Sequence, residues 1–251
     1  MARFFLSQTQ IEGDTVNVEG ADAHHIARVL RMRVGETLIV CDMQKNEYLC
    51  SITDIHDHCV TARIRQRKKN DTELPCSVHV YQSLPKGDKM EYIVQKAVEL
   101  GAAALTPVLS ARCVSKPDAD AAAHKCRRWQ RIAEEAAKQC GRGIVPCVKP
   151  VTALDQAMRQ AAQTGTLSLF CYEGDGTVSL KKILEENGQL LTQKQDAEVS
   201  VFIGPEGGYD VEEVDAARSH GFPIVGLGKR ILRCETASGF VLSCIGFALE
   251  L

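Results

Sequence analysis

Aromatic side chains are scarce in this sequence, and its cysteines lack the spacing of a metal site. Phe, Trp and Tyr together make up 5% of the 251 residues, so the stacked aromatic platforms of single-strand-binding proteins are not expected. The eleven cysteines are scattered, and none of them stands in a Cys-x-x-Cys pair. We therefore expect no zinc or other metal and no disulfide framework, and we interpret most cysteines as small buried hydrophobes in a reduced cytoplasm.

Long apolar runs are missing as well. The longest uncharged stretch, residues 236–249, is interrupted by serines and glycines and is too short to span a membrane. Residues 1–13 show no secretory signal pattern. With 45% hydrophobic and 25% charged residues, the composition is typical of a soluble globular protein, and we expect a cytoplasmic location without membrane contact.

An overall excess of positive charge is also absent, since the formal net charge is −2. The charge is unevenly distributed, however. Residues 86–149 hold twelve basic and seven acidic side chains, which gives about +5, and residues 150–251 hold eight and fourteen, which gives about −6. This asymmetry predicts a basic face for a polyanion beside a neutral or acidic remainder.

The hydrophobic pattern changes near residues 71–75. Residues 4–67 read as short alternating strands, interrupted by one helical stretch at 23–32, and this predicts an all-β barrel domain over residues 1–72. From residue 77 onward, strand and helix patterns alternate. The alternation predicts an α/β domain over residues 73–251, with a parallel sheet and helices on both faces.

Two glycine-bearing loops stand near the end of the chain. One reads Ile-Gly-Pro-Glu-Gly-Gly at 203–208, and the other reads Leu-Gly-Lys-Arg-Ile-Leu-Arg-Cys-Glu-Thr at 227–236. In open α/β sheets such loops lie beyond the carboxyl ends of the strands, where ligands bind. Neither carries the Lys-Ser/Thr of a P-loop, and Ile231 stands where the dinucleotide fingerprint has its third glycine. We predict a nucleoside-type ligand held by backbone groups, without a grip on a triphosphate.

These two motifs resemble the ribosomal small-subunit RNA methyltransferase E family of the SPOUT superfamily. The resemblance implies S-adenosylmethionine as cofactor and methylation of N3 of a uridine in small-subunit ribosomal RNA. It also implies a PUA-like N-terminal barrel that holds RNA and a trefoil knot in the C-terminal domain. The expected partners are the ribosomal RNA, free or in the assembled small subunit, and a second copy of the chain in a homodimer.

The expected cofactor-binding residues follow from the matching motifs and from a strand end near residue 172. They are Tyr172, Ile203, Gly204, Pro205, Glu206, Gly207, Gly208, Leu227, Gly228, Ile231, Leu232, Arg233 and Thr236.

Methyl transfer to an imide nitrogen needs a held sulfonium, removal of the N3 proton and stabilisation of the resulting anion. Arg233 is the first choice for stabilising the anion. Glu206 and Glu235 are alternatives for the base, beside a structural interpretation in which each carboxylate binds backbone N–H groups, and a catalytic water is a further alternative. Arg142 joins Arg233 and Glu235 in the expected catalytic group, because its segment resembles a family motif.

The expected RNA contacts lie in the barrel and on the basic helices of the second domain, where guanidinium and ammonium groups suit phosphate. For each isolated basic run a solvated helix face is the alternative. The candidates are Arg3, His25, Arg28, Arg31, Lys86, Lys96, Arg128, Arg131, Gln139 and Arg142.

Two other functions and one question of assembly stay open at this point. A sister group of the same superfamily methylates the ribose 2′-hydroxyl, and a non-catalytic RNA-binding adaptor would retain the scaffold without the chemistry. The apolar final helix fits equally well as a helix sandwiched within its own domain and as a dimer interface, and the resemblance favours the dimer.

Overall fold

The computed structural model describes residues 1–56 and 58–251. The strands, in chain order, are β1 Arg3–Phe5, β2 Ile11–Glu12, β3 Thr15–Glu19, β4 Thr37–Cys41, β5 Asn46–Ile55, β6 Cys59–Lys69, β7 Ser77–Ser83, β8 Ala104–Leu109, β9 Cys147–Val148, β10 Thr152–Ala153, β11 Leu167–Cys171, β12 Val178–Ser179, β13 Glu198–Ile203 and β14 Ile224–Gly226. The α-helices are α1 Gly20–His24, α2 Lys89–Glu99, α3 Ala119–Cys140, α4 Leu154–Thr164, α5 Leu180–Gln193, α6 Val211–Ser219 and α7 Cys234–Glu250.

The chain forms two compact units. The first consists of residues 1–73 together with 137–145, and the second consists of residues 74–136 and 146–251. The sequence indicates a change of architecture near residue 73, but it contains no signal that the end of α3 and the loop after it belong to the first unit. Within the described residues, no helix is both long enough and apolar enough to cross a membrane.

The first unit is built on a six-stranded mixed sheet in the order β1-β4-β5-β6-β3-β2. The β1–β4 pair is parallel, and the other pairs are antiparallel. Alternate residues such as Val16, Val18, Leu38 and Val40 point into one buried core, as the period of two in the sequence predicts. The predicted helix at 23–32 is present, but it begins and ends three residues earlier, at 20–29. It consists of α1 and a π-helical turn at His25–Val29.

The second unit contains an eight-stranded parallel sheet. Its main path is β10-β8-β7-β13-β11-β14-β12, and β9 pairs with β8. Helices α4 and α6 pack on one face against Phe170, Phe202 and their neighbours. Helix α7 packs with α2 and α5 and contacts β7 and β13, whose alternate residues Val80 and Val201 are also buried. The predicted parallel sheet with helices on both faces is confirmed, whereas the predicted knot stays a prediction, because strand order alone does not define how a chain threads.

Two Asp-x-x-Glu spacings in the sequence, at 88–91 and 210–213, predict capped helix starts. Asp210 and Glu213 form the predicted capping box at α6. The Asp210 backbone N–H donates to Glu213 Oε2, and the Glu212 backbone N–H donates to Asp210 Oδ1. Asp88 precedes α2 as predicted, but its side chain makes no capping hydrogen bond. Instead, the Glu91 backbone N–H donates a hydrogen bond to the Asp88 backbone carbonyl oxygen.

Candidate ligand pocket and basic surfaces

Three neighbouring parallel strands end at one edge of the second unit's sheet. Phe170 of β11 lies opposite Phe202 of β13 on one side and Ile224 of β14 on the other. The segments that follow these strands therefore emerge together, as expected at the carboxyl edge of an open α/β sheet. They enclose a cavity of about 390 Å³.

Most of the predicted cofactor residues line this cavity. Those on its wall are Tyr172, Ile203, Gly204, Pro205, Glu206, Gly208, Leu227, Gly228, Ile231, Leu232 and Arg233. Gly207 and Thr236 do not line the cavity. Gly207 packs beside the Arg112 side chain, and Thr236 is exposed in the first turn of α7. Both loops therefore contribute to the cavity wall, and the cofactor-binding roles of these residues stay a prediction.

The first loop is a rigid turn. The Gly208 N–H donates to the Pro205 carbonyl oxygen at 3.0 Å, and Gly208 has a φ of +66°, which favours glycine. Tyr209, the next residue, is buried with its ring centroid 4.2 Å from that of Phe170. A Cβ on Gly204 would lie 3.4 Å from both the Tyr209 ring and the Gly208 backbone, so a larger side chain there would have to pack closely against them.

The second loop has a different character, because it is exposed and basic. Gly228 turns the chain at a φ of +108°. Lys229, Arg230 and Arg233 are exposed and line the cavity. In the part of the chain that the structure describes, none of these three side chains forms a hydrogen bond or an ion pair. They place three positive charges, without ion pairs to other described residues, at the mouth of the cavity.

The carboxylates predicted as alternative bases are both engaged. Glu206 Oε1 accepts from Lys89 Nζ at 2.8 Å and from the Lys86 backbone N–H at 3.1 Å. Glu235 does not line the cavity. Its Oε2 lies 3.4 Å from Lys89 Nζ and accepts from the Cys234 thiol at 3.1 Å.

These contacts change the proton affinities of the groups. Partial burial alone would raise the pKa of Glu206, but hydrogen bonds from Lys89 and from backbone N–H groups outweigh it and hold that pKa below its usual range. Burial would also raise the pKa of Glu235. Its own backbone N–H, the Cys234 thiol and Lys89 outweigh that effect and lower the pKa. The hydrogen bond to Glu206 raises the pKa of Lys89. Both carboxylates are consequently weak bases.

Several pocket residues were missed by sequence reasoning. Lys229 and Arg230 stand inside the second motif, and Cys171, Glu173 and Gly226 end or follow predicted strands, so the sequence held a signal for them. Cys234 and Ala237 begin the final helix. Lys89 and Thr177 reach the cavity only through the tertiary fold.

The RNA candidates of the first unit divide into exposed and internal side chains. His25, Arg28, Arg31 and Gln139 are exposed. Arg3 is used internally, because its Nη1 lies 2.9 Å from Glu47 Oε2 and its side chain is only 10% exposed.

Arg142 is likewise internal. Its side chain is 3% exposed, and its guanidinium group binds both carboxylate oxygens of Glu73. The Gly143 backbone N–H donates to the same carboxylate. The predicted catalytic and RNA roles of Arg142, and the RNA role of Arg3, are corrected on these grounds to a structural role, since a buried guanidinium held by a carboxylate has no face left for a ligand.

The RNA candidates of the second unit all lie on its surface. Lys86 and Arg131 are exposed. Lys96 pairs with Glu99 at 2.7 Å, and Arg128 pairs with Glu91 at 2.7 Å. Exposed pairs of this kind are weak, so they do not prevent contact with a phosphate. Among the described residues, no cluster of three or more His, Cys, Asp or Glu could hold a metal ion.

Two family models match this chain, one in its N-terminal part and one in the remainder. A family model described as RNA methyltransferase domain matches residues 72–246, and one described as RNA methyltransferase PUA domain matches residues 18–65. The Ribosomal RNA small subunit methyltransferase E of Bacillus subtilis (strain 168) is 35% identical over 254 residues, which cover 100% of this chain and 98% of the relative.

The chain belongs to the ribosomal RNA small subunit methyltransferase E family. The family member from Synechocystis sp. (strain ATCC 27184 / PCC 6803 / Kazusa) is 33% identical over 99% of this chain and 78% of its own length. The crystal structure of the member from Neisseria gonorrhoeae, which is bound to S-adenosyl methionine, superposes with a TM-score of 0.81 and 32% identity. That alignment covers 98% of this chain and 97% of the Neisseria chain.

The burial of Arg142 predicts that this residue contributes to stability. Arg142→Ala would leave the Glu73 carboxylate buried without its partner, and we expect a loss of about 3–5 kcal/mol in the free energy of unfolding. Urea unfolding followed by circular dichroism measures this loss. Arg131→Ala, at an exposed position of α3, is the matched control and should change stability by less than about 0.5 kcal/mol. Equal stability of the two variants would contradict the structural role of Arg142.

Proposed function

We propose that this protein transfers a methyl group from S-adenosylmethionine to N3 of a uridine in small-subunit ribosomal RNA. The observation that carries the proposal is the cavity between the two glycine-bearing loops, in a chain of the same family as the Neisseria protein that binds S-adenosyl methionine. The resemblance of the two motifs supplies the target atom.

The cavity fits this cofactor in size and chemistry. A volume of about 390 Å³ lies within the range of small-molecule sites. Ile203 and Leu227 offer apolar surface to an adenine ring, and the glycines allow close approach of backbone N–H and C=O groups to the ligand. When bound, the cofactor supplies an electrophilic methyl group on its sulfonium. The protein has to hold it still beside the uracil.

Arg233 is assigned to the uracil. Removal of the N3 proton leaves negative charge on the ring nitrogen and the adjacent oxygens, and a fixed cation stabilises that charge. Arg233 is suited to this role because it is exposed beside the cavity without an internal partner among the described residues. Glu206 and Glu235 both form ion pairs with Lys89. We therefore assign a water molecule as the acceptor of the N3 proton, and Glu235 helps to maintain the shape of the pocket.

Nucleoside mass spectrometry tests the reaction. After incubation of the protein with small-subunit RNA and S-adenosylmethionine, digestion should yield N3-methyluridine. Arg233→Ala should lower the rate by about 100-fold or more, as for the loss of a charge-stabilising donor, whereas Arg159→Ala on the exposed surface of α4 should retain full activity. A 2′-O-methylated nucleoside or the absence of any methylated product would reject the proposal.

Each unit contributes its own exposed basic or polar residues to RNA binding in this proposal. His25, Arg28, Arg31 and Gln139 supply the first unit's part, and Lys86 and Arg131 supply the second unit's, joined by Lys96 and Arg128 once their surface pairs open. Lys229 and Arg230 extend the second unit's surface to the mouth of the cavity. Since the proposed substrate is ribosomal RNA, free or in the assembled small subunit, a cytoplasmic location forms part of the proposal.

Phosphate contacts by the first unit predict a salt effect. Arg28→Glu and Arg31→Glu together should weaken RNA binding and flatten the slope of log affinity against log salt by about 1–2, because fewer counterions are released. Fluorescence anisotropy with labelled RNA at several salt concentrations measures the slope. Arg159→Glu is the control for charge alone. An unchanged slope would show that the two arginines are solvated and do not contact phosphate.

A homodimer through α7 is the last part of the proposal. This helix is buried along Val241 and Ile245, yet Phe247 is 73% exposed and Phe240 is 39% exposed. Large aromatic side chains on the outer side of an otherwise buried helix are typical of a surface that is covered in an assembly. The alternative, a helix enclosed within its own domain, does not account for the exposure of Phe247.

Phe247→Glu should therefore convert a dimer into a monomer, because the interface would have to bury an unpaired charge. Sedimentation velocity over a range of protein concentrations gives the oligomeric state. Val178→Glu, at an exposed apolar residue outside α7, should stay dimeric. A wild-type protein that sediments as a monomer, or a Phe247→Glu variant that stays dimeric, would contradict the interface.

A further inference from the structure

Lys89 stands at a place where the two loops of the cavity come together. It is the first residue of α2 and is far from both loops in the sequence. Its Nζ lies 2.8 Å from Glu206 Oε1 of the first loop. The same nitrogen lies 3.4 Å from Glu235 Oε2, in the first turn of the helix that follows the second loop. One ammonium group thus contacts a carboxylate from each of the two loop motifs, 203–208 and 227–236.

Apart from Lys89, the two loops differ in how firmly they are held. The first loop is fixed by the buried Tyr209 and by Arg112, whose Nη1 donates to the Gly207 carbonyl oxygen at 2.9 Å. The second loop is exposed through residues 229–231. Among the hydrogen bonds and ion pairs of residues 1–56 and 58–251, none joins the first loop directly to residues 226–235. The connection between the two walls therefore runs through Lys89.

We propose that Lys89 is a positioning residue, which fixes the two walls of the cavity relative to each other by joining Glu206 to Glu235. Glu235 follows Arg233 by two residues at the start of α7, so the same contacts also hold the backbone that carries Arg233. Lys89 acts through these loops, and its effect on the ligand is the geometry of the pocket.

The electrostatics support this role. The side chains of Lys89, Glu206 and Glu235 are 32%, 27% and 19% exposed, so solvent screens the pairs only in part. Without the ammonium, two carboxylates would face each other across the gap and repel. The raised pKa of Lys89 and the lowered pKa values of both carboxylates agree with mutual stabilisation of the charged forms.

Calorimetric titration with S-adenosylhomocysteine tests the inference, which rests on the proposed function. Lys89→Met removes the charge and keeps the length of the side chain, and it should weaken binding by roughly five- to tenfold, between the values for exposed and buried pairs. Lys89→Arg can still reach both carboxylates and should recover most of the affinity. Lys181→Met, which removes a surface pair with Glu185 on α5, should bind like the wild type.

Two further variants separate positioning from direct contact with the ligand. Glu206→Gln and Glu235→Gln should each weaken binding, and each should add little when combined with Lys89→Met, because the three residues act as one unit. Affinity that falls in Lys89→Met but stays intact in both glutamine variants would assign Lys89 to the ligand and overturn the inference.

The remaining outcomes are also decisive. Wild-type protein that binds S-adenosylhomocysteine, together with unchanged affinity in Lys89→Met, would overturn the role of Lys89 and leave the proposed function standing. Wild-type protein that does not bind the probe would overturn both. Thermal melting of each ligand-free variant checks folding, and if Lys89→Met melts early, the Lys89→Arg and glutamine variants carry the test.

Discussion

The parallel pairing of β13, β11 and β14 is the constraint on which the candidate site depends. Because Phe170 pairs with Phe202 and with Ile224, the three strands end side by side. The chain that leaves them must turn at the same edge of the sheet. A shift of this register would separate Gly204 from Gly228 and leave Arg233 without a cavity to line. The core aromatic residues that hold the register, such as Phe170 and Phe202, are therefore as important to the pocket as the residues that line it.

Sequence patterns identified the elements that carry local signals. The apolar run and glycines at 201–208, and the Asp210–Glu213 spacing, define a strand, a turn and a capped helix without reference to the rest of the chain. The two motifs located most of the pocket wall for the same reason. What the patterns could not supply are contacts between distant segments. Lys89 resembles any basic residue at the start of a helix, and only the fold brings it to Glu206 and Glu235.

Arg142 shows the opposite error. A basic residue in a motif-like segment after a basic helix reads as a ligand contact, because arginines are mostly exposed. The structure uses this arginine to hold residues 137–145 within the first unit through Glu73, and Asn70 donates to the Gly141 carbonyl oxygen beside it. Arg142 and Glu73 are far apart in the sequence, so sequence patterns gave no sign of their ion pair. The segment connects the end of α3 to the second unit, so its anchoring matters to both parts of the chain.

Backbone turns at glycines create the cofactor site, and a pair of valine variants tests this dependence. Gly228 has a φ of +108°, whereas Gly188 lies within α5, and a Cβ added at either position would meet no atom within 4 Å. A valine is therefore tolerated at Gly188 but opposes the left-handed turn at Gly228. In calorimetric titration with S-adenosylhomocysteine, we expect wild-type affinity for Gly188→Val and no measurable binding for Gly228→Val. Wild-type affinity in Gly228→Val would contradict this dependence.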